Sequence, residues 1–288
     1  MSRIAYVNGA YVRHADAHVH IEDRGYQFSD GVYEVSAVWG GRIVDEELHY
    51  DRLERSLSEL GIGMPMTRAA FRAVSAETVR KNRISDGIVY LQVTRGVAPR
   101  DHAFPENAAG SVVMTARASR WPARAEDEAA GARVVTVDDI RWHRRDIKSV
   151  SLLPNILAKQ KAREQGAYEA WLVDQDGMVT EGSSSNAWIV DDQGRIVTRD
   201  WSHDILGGIT RLTLLRLARE NGFEVVERAF SLEEAKSATE AFITSTTSFV
   251  KGAVAIDDVT IGDGEVGPVT MRLRNLYLDY CRGPGGNA

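Results

Sequence analysis

Lysine is scarce in this chain, so each one carries information. Arginine supplies most of the positive charge, and the lysines are Lys81, Lys148, Lys159, Lys161, Lys236 and Lys251. Lys81 closes a helical pattern, Lys159 and Lys161 lie in the polar run AKQKAREQG, and Lys236 lies in an acidic helix, all ordinary solvated settings. Lys251 is ambiguous. Lys148 differs, because it follows a strand-like run ending Asp146-Ile147 and precedes Ser149-Val150-Ser151-Leu152-Leu153. An ammonium is costly to hold in apolar surroundings, and desolvation favours the free, nucleophilic amine. Two readings stand: a lysine whose stem covers apolar surface while its head reaches water, or a Schiff-base lysine serving a substrate carbonyl or pyridoxal phosphate.

The companions of Lys148 decide between them. A pyridoxal site needs an acid for the ring nitrogen, donors for the phosphate and a cation for an incoming carboxylate. Glu181 follows Met178-Val179-Thr180 and enters Gly182-Ser183-Ser184-Ser185-Asn186, so an acid stands where an extended segment breaks into small hydroxyl residues. Leu206-Gly207-Gly208-Ile209-Thr210 leads into the helical pattern RLTLLRLAREN, whose first N–H groups suit an anion. Thr244-Ser245-Thr246-Thr247-Ser248 is a hydroxyl cluster at a strand end, and Arg52 offers a matching charge. Arg100 and His102 lie two apart on a loop shaped by Gly96 and Pro99, where an arginine fork can take a carboxylate, and Tyr33 adds a hydroxyl. Taken singly, these read as a turn acid, a helix cap, a strand-end turn, a solvated helix arginine and an exposed loop.

Two other patterns are set aside. His18, His20 and Glu22 alternate as on one face of a short strand, more in keeping with a solvated edge than a metal site. Gly262-Asp263-Gly264-Glu265-Val266-Gly267 fits a dinucleotide fingerprint, but its acids would repel a pyrophosphate and Pro268 fits no βαβ unit, so it reads as a turn.

The elements that must position these residues are mixed. Ile4–Val7 and Ala10–Val12 around Asn8-Gly9 read as a hairpin, with further strands at Val32–Val38, Ile88–Thr94 and Ser111–Ala116. Leu48, Leu53, Leu57 and Leu60 mark a helix stopping at Gly61, and Thr67 caps a second through Asn82. The polar run from Trp121 to Glu128 reads as a connection between compact units, giving a small domain over 1–120 and a larger one over 121–288. The latter shows strands at Arg133–Asp138, Ala170–Val173, Met178–Thr180, Ala187–Val190, Glu224–Arg228 and Ala241–Thr244, and helices near 155–165 and 210–221. Ser231 with Glu234 forms a capping box, and Met271, Leu273, Leu276 and Leu278 line a last helix. The class is α/β (α+β) throughout.

Composition bounds the partners. With 43% hydrophobic and 26% charged residues in 288, the chain is globular and long enough for two cores. A formal charge of -6 without a basic block argues against nucleic acid. The single cysteine, Cys281, fits a reducing compartment, and no apolar run approaches membrane-spanning length. The opening MSRIAYVNGAYV lacks a secretory pattern, so the expected home is the cytoplasm.

Six runs in order, DRGYQFSDGVYEV, VTRGVAPRDHAFPEN, DIKSVSLLPNILAKQKA, VTEGSSSNAW, GGITR and TSTTS, resemble the D-amino-acid aminotransferases, which are fold-type IV pyridoxal-phosphate enzymes. The resemblance spans nearly the whole chain. It implies a small N-terminal and a larger C-terminal α/β domain, with pyridoxal 5′-phosphate as cofactor. It implies that Lys148 anchors the cofactor and moves a proton at the substrate Cα, and that Glu181 keeps the pyridine nitrogen protonated. Arg52, the Ile209 and Thr210 backbone, Ser245 and Thr246 would hold the phosphate, and Leu206 the ring. Tyr33, Arg100 and His102 match a substrate-carboxylate trap, the last two from a neighbouring subunit, which implies a homodimer with shared sites. Val35, Ser184 and Ser185 are expected to help line the side-chain pocket. Ser29 stands where Gly is common, and Gly207-Gly208 where many relatives have Lys-Gly; neither touches a proposed role.

The expected activity is transfer of an amino group from a D-amino acid, such as D-alanine or D-glutamate, to 2-oxoglutarate or pyruvate by a ping-pong mechanism. Branched-chain L-amino-acid aminotransferases, (R)-amine transaminases and an aminodeoxychorismate lyase share the lysine and the glutamate, and Arg100 with His102 is the feature that favours D substrates. A cofactor-free Schiff-base aldolase would need neither Glu181 nor two phosphate cradles.

Overall fold

The central strands of the first sheet are largely buried in the structure, a computed structural model that describes residues 3–121 and 130–283. Strands β1 (Ile4–Val7), β2 (Ala10–Arg13), β3 (Gly31–Trp39), β4 (Arg42–Ile43), β5 (Gly87–Thr94) and β6 (Ser111–Ala118) pair antiparallel in the order β2-β1-β6-β5-β3-β4. Asn8 and Gly9 both take positive φ, 45° and 97°, which lets two residues join β1 to β2 with the twist of the strands. Leu91 and Val93 of β5, with Val32, Val112, Met114 and Tyr6, share a core with Tyr50, Leu53 and Leu57 of α2 (Glu46–Glu59) and Phe71 of α3 (Arg68–Lys81). The α2 residues recur at helical spacing, so one stripe of the helix is buried. Thr67 caps α3 by accepting the Ala70 N–H at 3.2 Å. The one-turn helix α1 (Arg24–Phe28) was too short to leave a periodic signal.

The chain divides into two compact units, Met1–Trp121 with Ile147–Ser151, and Pro122–Asp146 with Leu152–Ala288. Residues 122–128 of the expected connection lie outside the described residues. Grouping Ile147–Ser151 with the first unit departs from a single cut near residue 121, and the cause is backbone pairing. Tyr33 N–H donates to the Lys148 carbonyl at 3.0 Å, Val150 N–H donates to the Gly31 carbonyl at 3.0 Å, and Ser149 bridges Val32. The strand expected to end at Ile147 is absent: 139–147 is irregular chain and turn, and Lys148 lies alongside β3.

In the second unit, β7 (Ala132–Asp138), β8 (Glu169–Val173), β9 (Val179–Gly182), β10 (Asn186–Val190), β11 (Ile196–Thr198), β12 (Val225–Glu227), β13 (Glu240–Ser245) and β14 (Phe249–Ile256) run in the order β12-β11-β10-β13-β14-β7-β8-β9, with β15 (Val259–Thr260) on β14. Pairing is parallel for β14 with β7, β7 with β8, and β11 with β12. Helices α4 (Leu153–Glu164), α5 (Ile209–Glu220), α6 (Leu232–Ser237) and α7 (Pro268–Arg282) accompany the sheet. Trp171 of β8 enters a core with Val179, Ile189, Ile243 and Phe230, while its neighbours Ala170 and Leu172 pack with Ala158 and Ala162 of α4. A sheet buried on both faces reads as unbroken apolar runs, as AWLV and NAWIV do.

Two patterns set aside in the sequence resolve here. Residues 17–20 are irregular and His20 Nδ1 accepts the Glu22 N–H at 3.0 Å, so the expected short strand does not form. The glycine-rich run precedes α7, and the anion at that helix N-terminus belongs to the protein itself. Glu240 accepts the N–H groups of Val269 and Thr270 at 2.9 and 2.8 Å and the Thr270 hydroxyl at 2.7 Å. Glu240→Ala removes three charge-assisted hydrogen bonds and is expected to cost about 3 kcal/mol. The check is a lower urea midpoint together with faster amide exchange across the first turn of α7.

Candidate active site

In the second unit a buried carboxylate, Glu181, is tied to Leu206 and to the start of α5. The β9 strand runs past its predicted end through Glu181 to Gly182, so Glu181 sits within a strand and is 5% exposed. Its Oε2 accepts the Asn186 side-chain amide at 3.0 Å and the Leu206 N–H at 3.0 Å, and its Oε1 accepts a donor from Arg141 Nη1. The same Asn186 amide donates to the Leu206 carbonyl at 3.0 Å, which fixes the chain just before α5. Gly208 caps α5 without any side-chain acceptor, and an added Cβ there would stand 2.0 Å from Asn186 Oδ1. Only glycine allows this approach. Glu181, Leu206 and the first turn of α5 with Ile209 and Thr210 are therefore linked through Asn186.

The Glu181 carboxyl is raised above its ordinary value, because burial outweighs the charge of Arg141 and the hydrogen bonds it receives. Arg141 is itself gripped by Asp139, with Nε to Oδ1 at 2.9 Å and Nη2 to Oδ2 at 2.7 Å, and Thr180 donates its hydroxyl to Asp139 at 2.7 Å. Burial pushes Asp139 up, but Arg141 brings it below its usual range. Ser245 and Thr246 begin the turn between β13 and β14, where the Ser245 hydroxyl accepts the Ser248 N–H at 3.1 Å.

In the first unit Lys148 is half-buried, with its main chain paired to β3. Its Nζ lies 4.2 Å from the centroid of the Tyr33 ring, and its N–H donates to the Ser56 hydroxyl at 3.3 Å. Tyr33 stacks on Tyr90 at 5.8 Å between centroids. One residue on from Tyr33, Glu34 takes Arg52 in a two-point grip, Nε to Oε1 and Nη2 to Oε2 both at 2.7 Å, while His49 Nδ1 lies 2.7 Å from Oε2. Burial would raise Glu34, yet Arg52 and His49 pull it down to about 2. The structure thus brings Lys148 to Tyr33, and sets Arg52 against Glu34 of the same strand. Arg100 and His102 are exposed and instead converge on Phe28, Arg100 at 4.7 Å from its ring centroid and His102 at 5.5 Å between rings.

Reading the sequence missed Arg141, Glu34 and Glu169. Glu169, 1% exposed, accepts hydroxyl hydrogens from Ser183, from Ser184 at 2.9 Å and from Ser185 at 3.0 Å. Ser184 and Ser185, expected to help line a side-chain pocket, direct their hydroxyls to this carboxylate. The spacing Asp139-x-Arg141 is the one local hint of an arginine held in place, and nothing local joins it to Glu181.

A carboxylate held below its unfolded value stabilises the fold above that value and ceases to do so as pH falls through the folded one. The Glu34 contribution is therefore complete above about pH 4.5 and lost between there and about pH 2. Glu34→Gln is expected to lower stability at neutral pH and to flatten its decline in that window, checked by urea midpoints at stepped pH.

Comparison with known proteins supplies the family. The amino-transferase class IV family model matches residues 31–256. A D-alanine aminotransferase of Listeria monocytogenes serotype 4b is 42% identical over 274 residues, 95% of this chain and 94% of that one. One from Bacillus licheniformis is 42% identical over 267 residues, 93% of each chain. The structure of a T.th. branched-chain amino acid aminotransferase with pyridoxamine 5′-phosphate superposes with a TM-score of 0.91 at 27% identity, covering 98% of this chain and 95% of that one. This chain belongs to the class IV aminotransferases.

Proposed function

We propose that this enzyme transfers an amino group between a D-amino acid and a 2-oxo acid, with pyridoxal 5′-phosphate as cofactor. The observation that carries the reading is the hydrogen-bonded link from Glu181 through Asn186 to Leu206 and the uncapped start of α5, which sets an acid and an anion-binding helix end in one unit. The cofactor fits these residues: the acid for a pyridine nitrogen is buried with a raised proton affinity, and the phosphate donors begin where a side chain on Gly208 would intrude. The choice of D substrates rests on D-alanine aminotransferases being 42% identical over nearly the full length, against 27% for the branched-chain enzyme.

When bound, pyridoxal phosphate supplies an electron-withdrawing ring that stabilises negative charge at the substrate Cα. Lys148 Nζ would hold the cofactor and, once the incoming amino group has displaced it, would take and return the substrate Cα proton. Glu181, bonded by Arg141 and Asn186, would share a proton with the ring nitrogen. The groups proposed for the phosphate are Arg52, which Glu34 fixes in direction, the N–H groups of Ile209 and Thr210, and the hydroxyls of Ser245 and Thr246. Leu206 supports the ring. Tyr33, Arg100 and His102 bind the substrate carboxylate, the last two serving the partner subunit in a homodimer. Among the described residues no helix is long and apolar enough to cross a membrane. The single cysteine, Cys281, buried and free, suits a reducing compartment, and the cytoplasm is the proposed location.

Lys148→Ala is expected to abolish transamination and to release cofactor that borohydride otherwise fixes to the chain. Full activity in that variant overturns the assignment. Offered D-alanine, L-leucine and (R)-1-phenylethylamine against 2-oxoglutarate and pyruvate, the wild type should consume D-alanine; preference for L-leucine or the amine selects the other branches of the fold. Glu181→Gln should retain cofactor and slow Cα deprotonation in single turnovers by about tenfold or more. Unchanged rates remove its role at the ring.

A further inference from the structure

The loop that carries Arg100 and His102 forms no helix or ladder of its own between residues 98 and 104. Its ends are held by the Ala98 N–H on the Glu22 carbonyl at 3.4 Å and by Arg95 over the Phe104 ring at 3.6 Å, and a further guanidinium takes the carbonyls between them. Arg24, the first residue of α1, is 3% exposed; its Nη1 donates to the Asp101 carbonyl at 2.6 Å and its Nη2 to the His102 carbonyl at 3.5 Å. Its Nε donates to Asp30 Oδ2 at 2.8 Å. Asp30 is gripped from the other side by Arg95, Nε to Oδ2 at 2.7 Å and Nη2 to Oδ1 at 3.0 Å, and Arg95 also donates to the Leu60 and Gly61 carbonyls at 2.7 and 3.0 Å. The loop is thereby tied to α1 and to the end of α2.

The side chains are seated by the same helix. Phe28 lies one turn on from Arg24, the spacing at which helix residues share a face. Its ring centroid is 4.8 Å from the Arg24 guanidinium, 4.7 Å from that of Arg100 and 5.5 Å from the His102 ring. Apolar packing could hold a loop down without taking two guanidiniums and a carboxylate out of water. A planar fork on two successive carbonyls adds direction: it orients both peptide planes, and so the angle at which residues 100 and 102 project. Asp23 and Gly25 secure the base of the device, since Asp23 accepts the Gly25 N–H at 2.8 Å and the Thr94 hydroxyl at 3.1 Å, and a Cβ on Gly25 would meet Thr94 at 2.2 Å.

We infer that Arg24, braced by Asp30 and working with the Phe28 ring, is the positioning residue for the Arg100–His102 pair; this rests on the proposed role of that pair in binding the substrate carboxylate. A lysine at position 24 keeps the charge but cannot reach a carboxylate and two carbonyls together. In the holoenzyme, Arg24→Lys should raise the KM for D-alanine and the inhibition constant of acetate about tenfold, with kcat within about twofold and the cofactor absorbance unchanged. Because Arg24 acts through the pair, adding Arg24→Lys to the Arg100→Ala/His102→Ala variant should change KM less than about twofold further. A fall in kcat matching the rise in KM, or a full multiplicative effect of Arg24→Lys in that background, overturns the inference. If Arg24→Lys fails to fold, Phe28→Leu carries the same test, and an unchanged KM there is equally fatal. Should Arg100→Ala itself leave KM for D-alanine and acetate inhibition unaltered, the carboxylate role fails and the clamp with it. Should Arg100→Ala raise both while Arg24→Lys and Phe28→Leu do not, the clamp alone fails.

Discussion

A carboxylate removed from water needs its surroundings to offset the lost hydration, and at Glu181 those surroundings account for most of the local design. Arg141 gives it a charge partner, Asn186 and the Leu206 N–H fill its other oxygen, and the Asn186 amide then fixes the chain that opens α5. Desolvation still dominates, so the acid keeps a raised affinity for a proton. Removing Arg141 would leave a buried charge unpaired, which costs more than the pair gains by forming. Asp139 in turn holds Arg141, so a strand end, a strand interior and a helix start are coupled through one arginine.

Glu34 in the first unit faces the same desolvation with the opposite outcome. A two-point grip from Arg52, with His49 alongside, holds it near 2, and it stays charged throughout the working range. His49 is lowered, because burial outweighs the pull of Glu34. Two acids removed from water thus divide their tasks by partner geometry. One is a fixed charge that aims a guanidinium, and the other competes for a proton.

Much of the architecture was legible in the residues. The Asn8-Gly9 turn and the Thr67 cap follow from local chemistry and form, Ser231 caps its helix while the Glu234 carboxylate turns to Arg228, and the expected stripes are buried at Leu53 and Leu57 of α2 and at Leu273 and Leu278 of α7, with Leu48 exposed. Short elements escaped notice: α1 has a single turn, β11 three residues, and Gly252 interrupts the pattern of β14. Lys148 lies half-buried over Tyr33 with its main chain paired to β3, a partial exposure that both readings of its sequence setting allow.

By itself the sequence determined the kinds of group present and their local order: a lysine beside an apolar run, an acid before three serines, two glycines before a helix, an arginine and a histidine two apart. Periodicity and turn chemistry are short-range, so they survive in one dimension. What only the tertiary structure decided is which partner each of those groups meets. Arg141 lies 40 residues from Glu181, Asp101 lies 77 from Arg24, and Glu169 collects its serines from 14 to 16 residues away. Charge state and side-chain direction depend on desolvation and on such distant contacts, and both exist only once the chain has folded.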